Sequence, residues 1–550
     1  MKHLGFFTLM LIAGALSTGA ANTATFTSFS YTGNEDYYRE NPLTSPDQTY
    51  NPILPGWYSD PSICRVGPDY YLVTSTFGYY PGVPIFHSTD LVNWEQIGNV
   101  LDRPSQADFS GQSIDKGGIY APQISYNPAT GTYYMITTDY GDGRGKHFYV
   151  TTSDPRRGWS DPVWIEGIDG IDPSLFFDED GKTYIIYKED TTGQPKWSNF
   201  RAIRIAEFDP AAGKVVGEKH KFLEEGVGPE EKLGRDEGPH IYKVDGKYIL
   251  ICAEGGTGIF HSEVCYKADS IFGPYTRWSR NPMLTQRELK PGRTNPVTCS
   301  GHVDMFQTPE GEWYGVFLGC RPIKNDAQSL GRETFLMPVH WSRDGFPYIT
   351  QEKDTVPMTV TVPGAVRRAD SPIGNFTWTD DFSSEKLRPE WMSLRGPADH
   401  LYKLGKGLEL TPSKELATGK GTPAYIGRRM QHHKFDASVA LDFHPKAEGE
   451  RAGLLIFKNE GRQYFMALGR DGLTLRKIGK GKAETVAQKD VKGGRLELKI
   501  VSNGPTYDFL YRRAGTKEWQ TLATGVDAAW TSDSAGGFTG TTFGPYAEIR

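Results

Sequence analysis

The pattern of apolar and polar positions in this chain repeats. Between Asn51 and about Trp341, a polar or small start leads into an apolar strand, a tight turn and an aromatic strand, five times over. The copies run from Asp60-Pro61-Ser62 into Asp69-Tyr70-Tyr71-Leu72, and from Tyr120-Ala121-Pro122 into Gly131-Thr132-Tyr133-Tyr134. They continue from Asp172-Pro173-Ser174 into Asp180-Gly181-Lys182-Thr183-Tyr184, and from Glu237-Gly238-Pro239 into Asp245-Gly246-Lys247-Tyr248. The last runs from His302-Val303-Asp304 into Glu310-Gly311-Glu312-Trp313-Tyr314. Short apolar runs bounded by turn residues predict strands, and the Asp-Gly and Glu-Gly pairs fit hairpins because Gly accepts positive φ. Multi-stranded units recurring roughly every 50 to 65 residues predict propeller blades. Innermost strands of a propeller surround one axis, so Asp60, Asp172, Glu237 and His302 are predicted to meet around one cavity.

Beyond Trp378-Thr379-Asp380-Asp381-Phe382 the pattern becomes plain alternation, as in Ala437–Phe443 and Leu496–Val501. Frequent Gly turns and almost no helical period predict a β-sandwich. The expected order is an all-β chain: a leader at 1–21, an irregular arm at 22–48, a five-bladed propeller at 49–345, a Pro-marked linker at 346–375 and a sandwich at 376–550. The leader reading rests on Lys2 and His3 before an apolar run, Leu4 to Leu16, and then small residues through Ala21. That run falls short of the ~20 residues that span a bilayer, so a secretory signal is expected rather than an anchor. The expected destination is periplasmic or extracellular.

Composition adds little beyond this frame. Its 61 basic and 67 acidic residues give a formal net charge of -6 over 550 residues, with no basic tract and so no polyanion-binding signature. Aromatics at 13% suit half-buried strands and, at some positions, sugar stacking. Five cysteines without a CxxC pair argue against zinc, and Cys252 with Cys265 is a candidate cross-hairpin disulfide, against buried free thiols.

Two carboxyls facing each other across a cleft are the minimum equipment for cleaving a glycosidic bond: one protonates the leaving oxygen, the other activates water or attacks the anomeric carbon. Asp60, Asp172 and Glu237 supply three candidates. Phe77, Tyr120, Trp197 and Phe260 are candidate stacking surfaces, with core packing as the alternative for each.

The stretches Asn51–Ser62, Tyr80–Ser88, Asp90–Trp94, Gly170–Ser174, Asp236–Tyr242, Ser300–Asp304 and Leu330–Phe335 together resemble glycoside hydrolase family 43. Asp381-Phe382, Trp391, Leu394-Arg395 and Arg428–His432 resemble the concanavalin-like sandwich of its β-xylosidase branches. The resemblance implies an inverting single displacement. Asp60 is then the general base, Glu237 the general acid, and Asp172 the carboxylate that orients and tunes the acid. Arg332 matches an arginine reaching substrate hydroxyls. His302 matches a channel histidine that in relatives lies near water or calcium, so calcium is admitted there though no cofactor is required. Tyr120 stands where many relatives have Trp. Gly536–Gly540 resembles a sandwich segment that leans toward the site, making Phe538 a candidate to close the pocket. The implied activity is exo-β-1,4-xylosidase on xylo-oligosaccharides. The alternatives are α-L-arabinofuranosidase or dual activity on arabinoxylan, and a catalytically silent sugar-binding protein. Retaining fructosyl hydrolases share an Asp-Pro opening but not Gly301–Asp304 or Gly331–Phe335.

Overall fold

The computed structural model describes residues 22–141, 143, 145–189, 202–223, 236–290, 292–323, 327–533 and 536–550. The predicted leader and Trp197 lie outside the described residues. Among those described, the single α-helix is the five-residue Asp36–Glu40; nearly all other regular structure is strand. No described helix is long and apolar enough to cross a membrane.

Five antiparallel blades follow in sequence order. The first pairs Ser62–Val66, Asp69–Val73, Gly82–Ser88 and Glu95–Leu101. The second contains Ile119–Asn127, Thr132–Asp139 and Lys146–Thr152. Its outer edge is the start of Val163–Phe177, where Phe148 faces Trp164. The same strand then crosses the ring and becomes the inner strand of the third blade, with Ser174 opposite Ile186. Thr183–Glu189, Ala202–Asp209 and Lys214–Leu223 complete that blade. The fourth holds Glu237–Val244, Lys247–Glu254 and Ser262–Ala268; the fifth holds Thr298–Gln307, Trp313–Cys320 and Arg332–Pro338. Leu54 closes the ring from the other end of the repeat region, exchanging backbone hydrogen bonds with Thr334 at 3.3 Å each way.

Burial explains why the ring is stable. Side chains alternate across each strand, so each blade has two apolar faces to cover. A separate buried cluster fills every gap between blades. Leu72 and Val316 share one such cluster across the closure, and Val73 with Met135, Ile136 with Ile185, Ile186 with Leu250, and Ile251 with Val303 belong to the other four. The expected turns are present: Gly181, Gly246 and Gly311 have φ of 83°, 73° and 91°.

The sandwich packs two sheets over one large core. One sheet has Lys434–Phe443, Gly494–Asn503, Thr506–Arg513 and Gln520–Asp527; the other has Glu450–Asn459, Arg462–Gly469, Gly472–Gly479, Lys482–Lys489 and Thr542–Ile549. Here the expectation of an irregular arm is corrected. Ala24–Gly33 is a ten-residue strand inside the first sheet, with Phe29 opposite Val439 and Phe26, Phe29 and Tyr31 in the core. Its alternation is broken by the register shift between Phe26 and Ser28, so it does not stand out beside the polar residues that follow. The predicted linker is also clasped: Thr359–Thr361 pairs with Gln48–Tyr50.

The two domains share a core in which Trp57, Tyr79 and Ile114 meet Leu394, Phe457 and Tyr546. Arg429 lies 4.2 Å over the Trp57 ring and donates from Nε to the Trp57 carbonyl at 2.8 Å. The Cys252–Cys265 disulfide is not formed; all five cysteines are free. Cys265 faces Ile251 across the hairpin, so it stands on the opposite sheet face from Cys252, and the two thiols enter different inter-blade cores.

Candidate active site

The inner strands begin with a repeated backbone kink. Asp60, Ala121, Asp172, Gly238 and His302 have φ of 54°, 29°, 56°, 59° and 56°. Four of these sit at register shifts in their strands. Such left-handed residues are strained unless glycine, and strain held by surrounding structure concentrates at functional sites. The kink also corrects the sequence alignment. Asp60 and Asp172 correspond to Gly238, not to Glu237. Glu237 occupies the preceding position, equivalent to Tyr120 and Ile171. The chain therefore presents two tiers: Tyr120, Ile171 and Glu237 line only the main cavity, whereas Asp60, Ala121, Asp172 and His302 also bound the channel beneath it.

That cavity, about 410 Å³, collects Asp60, Asp172, Glu237, His302, Arg332, Phe77, Tyr120 and Phe538 from all five blades and the sandwich. Asp60 accepts from Arg332 Nη1 at 2.9 Å and from Ser75 Oγ at 2.6 Å; His302 Nδ1 is 3.7 Å from Oδ1. Burial pushes the Asp60 carboxyl up, but Arg332, His302 and the Ser75 hydrogen bond together hold it below its ordinary value. Asp60 is thus kept ionised. Asp172 receives the Gly238 N–H at 3.0 Å. Its carboxyl is pushed up to about 7, chiefly by burial and also by the Glu237 charge, against His302 and Lys188.

The aromatic wall is continuous. Phe538 stacks on Phe77 with centroids 5.7 Å apart, and Tyr120 meets both edge-on. Arg332 lies against both phenylalanines, 5.8 and 5.6 Å from their centroids, and its buried Nε lacks an acceptor among the described residues. Phe538 arrives from the sandwich: its N–H donates to the Asp115 carbonyl at 3.0 Å, and Asn459 Nδ2 binds the Asp115 carboxylate at 3.0 Å. Phe260 is not part of this wall. It is 60% exposed, on the loop following Gly256 and Thr257, which do line the cavity.

Three contributors escaped the sequence reading. Lys188 Nζ stands 3.6 Å from Glu237 Oε2, Ser75 bridges Asp60 to the Ala121 N–H, and Tyr140 stacks on Tyr120. Ser75 and Lys188 both lie where the second strand of a blade returns to the axis. A polar residue after an apolar run at that point was a signal available in the repeat.

His302 was the candidate calcium contact. Calcium takes about six to eight oxygen ligands. His302 offers nitrogen, and its carboxylate neighbour Asp60 is already engaged by Arg332. Among the described residues no three His, Cys, Asp or Glu side chains converge as a metal set. The residues here do not fit that ion.

Comparison with known proteins places these features in context. The family described as glycosyl hydrolases family 43 matches residues 49–347, and the β-xylosidase C-terminal concanavalin A-like domain matches residues 379–548. A non-reducing end α-L-arabinofuranosidase of Bacteroides ovatus is 36% identical over 509 residues, covering 90% of each chain. A xylosidase/arabinosidase of Butyrivibrio fibrisolvens is 36% identical, covering 90% of this chain and 95% of its own. A crystal structure of a GH43_12 protein from a capybara gut metagenome superposes with a TM-score of 0.89 at 41% identity, covering 96% of this chain and all of that one. The xylan β-1,4-xylosidase of Bacillus halodurans gives 0.81 at 30% identity, covering 91% and 97%.

Proposed function

Because the chain belongs to glycosyl hydrolases family 43, we propose that this glycoside hydrolase is a secreted, inverting exo-β-1,4-xylosidase that trims xylo-oligosaccharides during xylan breakdown. In this mechanism Asp60 accepts a proton from water as that water attacks the anomeric carbon. Glu237 gives its proton to the departing glycosidic oxygen. Water and leaving group occupy opposite faces of the sugar, so configuration inverts. The observation that carries this reading is the unequal treatment of the carboxyls. Asp60 is fixed as an anion by Arg332 and Ser75, as a base requires. Asp172, with its raised proton affinity, sits beside Glu237 on the next blade. Phe77, Tyr120 and Phe538 wall the sugar site, and Arg332 lines it beside them. Protein carboxyls supply both proton transfers, so no cofactor is required.

A second reading, α-L-arabinofuranosidase or dual activity on arabinoxylan, is supported by similarity to the Bacteroides ovatus and Butyrivibrio fibrisolvens proteins. The deciding experiment is hydrolysis of an aryl β-xyloside and an aryl α-L-arabinofuranoside side by side, with product anomers followed by NMR. The xyloside is expected to be cleaved faster, with inverted product. Faster release from the arabinofuranoside would transfer the assignment to the second reading, and retained configuration would sink the roles of Asp60 and Glu237.

A further inference from the structure

Cys299 and Cys320 lie on neighbouring strands of the fifth blade, Thr298–Gln307 and Trp313–Cys320, where the register sets Thr298 opposite Cys320. Direct partners in such a ladder have Cα atoms about 4.5–5.5 Å apart, inside the range a disulfide needs. Cys299 is one residue beyond that partner. Left-handed backbone at Cys299, φ 56°, coincides with the register shift that follows Thr298. The two side chains come within hydrogen-bonding reach of each other there. Gln328 Nε2 also reaches Cys299 Sγ at 3.6 Å. This differs from Cys252 and Cys265, whose side chains leave opposite faces of their sheet.

We propose that Cys299 and Cys320 are a modification site, the partners of an intramolecular disulfide formed as the chain folds in an oxidising compartment. The inference rests on the export proposed above for its biological setting, but not for its chemistry. A Cys299 thiolate attacks one sulfur of an external disulfide, small-molecule or protein-borne, and expels the first thiolate. The Cys320 thiolate then attacks the Cys299 sulfur of the mixed disulfide and expels the second. The external disulfide gains two electrons and two protons, leaving as two thiols, while the cysteines are oxidised. Hydrogen bonds onto Cys299 bring its thiol down to about 7, which favours the attacking form.

The location gives the bond a consequence. Cys320 is the cross-strand partner of Arg332, the residue that grips Asp60, and Cys299 precedes His302 on the same strand. The link would brace the wall of the cavity that holds the base.

The test refolds the full chain, expressed without residues 1–21, in a glutathione buffer of oxidising or reducing ratio. It is then denatured in N-ethylmaleimide and mapped by peptide mass spectrometry. Two protected thiols, Cys299 and Cys320, are expected only in the oxidising sample, which should also melt roughly 5 °C higher. Five alkylated thiols under both conditions, a different protected pair, or stable glutathionylation of one cysteine would overturn the proposal. The Cys299→Ser and Cys320→Ser double variant should lose the redox dependence of melting. If that variant does not fold, the wild-type peptide map still decides. Export is decided separately by fractionation, and activity on the aryl glycosides by the assay above, so each reading can fail alone.

Discussion

At the scale of single residues, opposite charges compete around the proton donor. Glu237 has Lys188 at 3.6 Å, and its charge acts on Asp172 on the neighbouring blade. The alkaline limb of a pH–rate profile reports loss of the donated proton. Lys188→Met removes a cation that favours ionisation and should move that limb to higher pH. Asp172→Asn removes an anion and should move it to lower pH, with a strong loss of kcat. Profiles of both variants that overlay the wild type would show the two residues to be structural. A stability prediction concerns Asp236, which is fully buried, with neither carboxyl oxygen hydrogen-bonded among the described residues. Burial first, then the Glu254 charge, pushes it up to about 7, with Arg277 opposing. A carboxyl raised in the folded state contributes stability that is complete below its unfolded value. That contribution is lost as pH climbs from about 4 to about 7, at most ~4 kcal/mol for a three-unit displacement. Asp236→Asn should therefore match the wild type near pH 4 and melt higher at pH 8. A wild-type melting curve at both pH values would contradict the raised affinity.

At the scale of elements, the kinked start of each inner strand does the positioning. Gly238 is the one such position without a side chain, and a Cβ there would come within 2.8 Å of the His302 ring. Gly238→Ala adds left-handed strain of about 1–2 kcal/mol and drives the imidazole toward Asp60. We expect a melting point several degrees lower and at least a tenfold drop in kcat, with KM changed less. Unimpaired kcat would mean that His302 can move without disturbing Asp60. The strands themselves were legible in the sequence: apolar runs, Gly turns and aromatic returns gave all five blades. The kinks were not, since a left-handed Asp before Pro leaves the same residue pattern as an ordinary turn, and Glu237 was accordingly aligned one position off.

At the scale of the whole molecule, the chain begins its described structure in one domain, builds the other, and returns. Ala24–Gly33 lies between Leu408–Leu410 and Lys434–Phe443 in the sandwich sheet. Residues 376–550 alone would lack that interior strand and expose two edges, a route to aggregation. Expressed alone, this segment should be insoluble, and deletion of residues 22–34 from the full chain should lower its melting point by more than about 10 °C. That figure follows from loss of the buried Phe26, Phe29 and Tyr31. A soluble, cooperatively folded 376–550 fragment would refute the strand's importance. The same return path delivers Phe538 to Phe77, so the sandwich is part of the cavity wall.

The sequence by itself determined the strands, the blade count and the candidate carboxyls. These follow from local alternation, turn chemistry and a repeat whose equivalent positions must converge. Tertiary structure alone decided the sandwich strand at Ala24–Gly33, the tier that separates Glu237 from Asp60, the Lys188 contact and the meeting of Cys299 with Cys320. Each depends on backbone dihedrals or on partners remote along the chain. Alternation states which face of a strand is buried, but not which distant strand covers it or how far a kink turns a side chain.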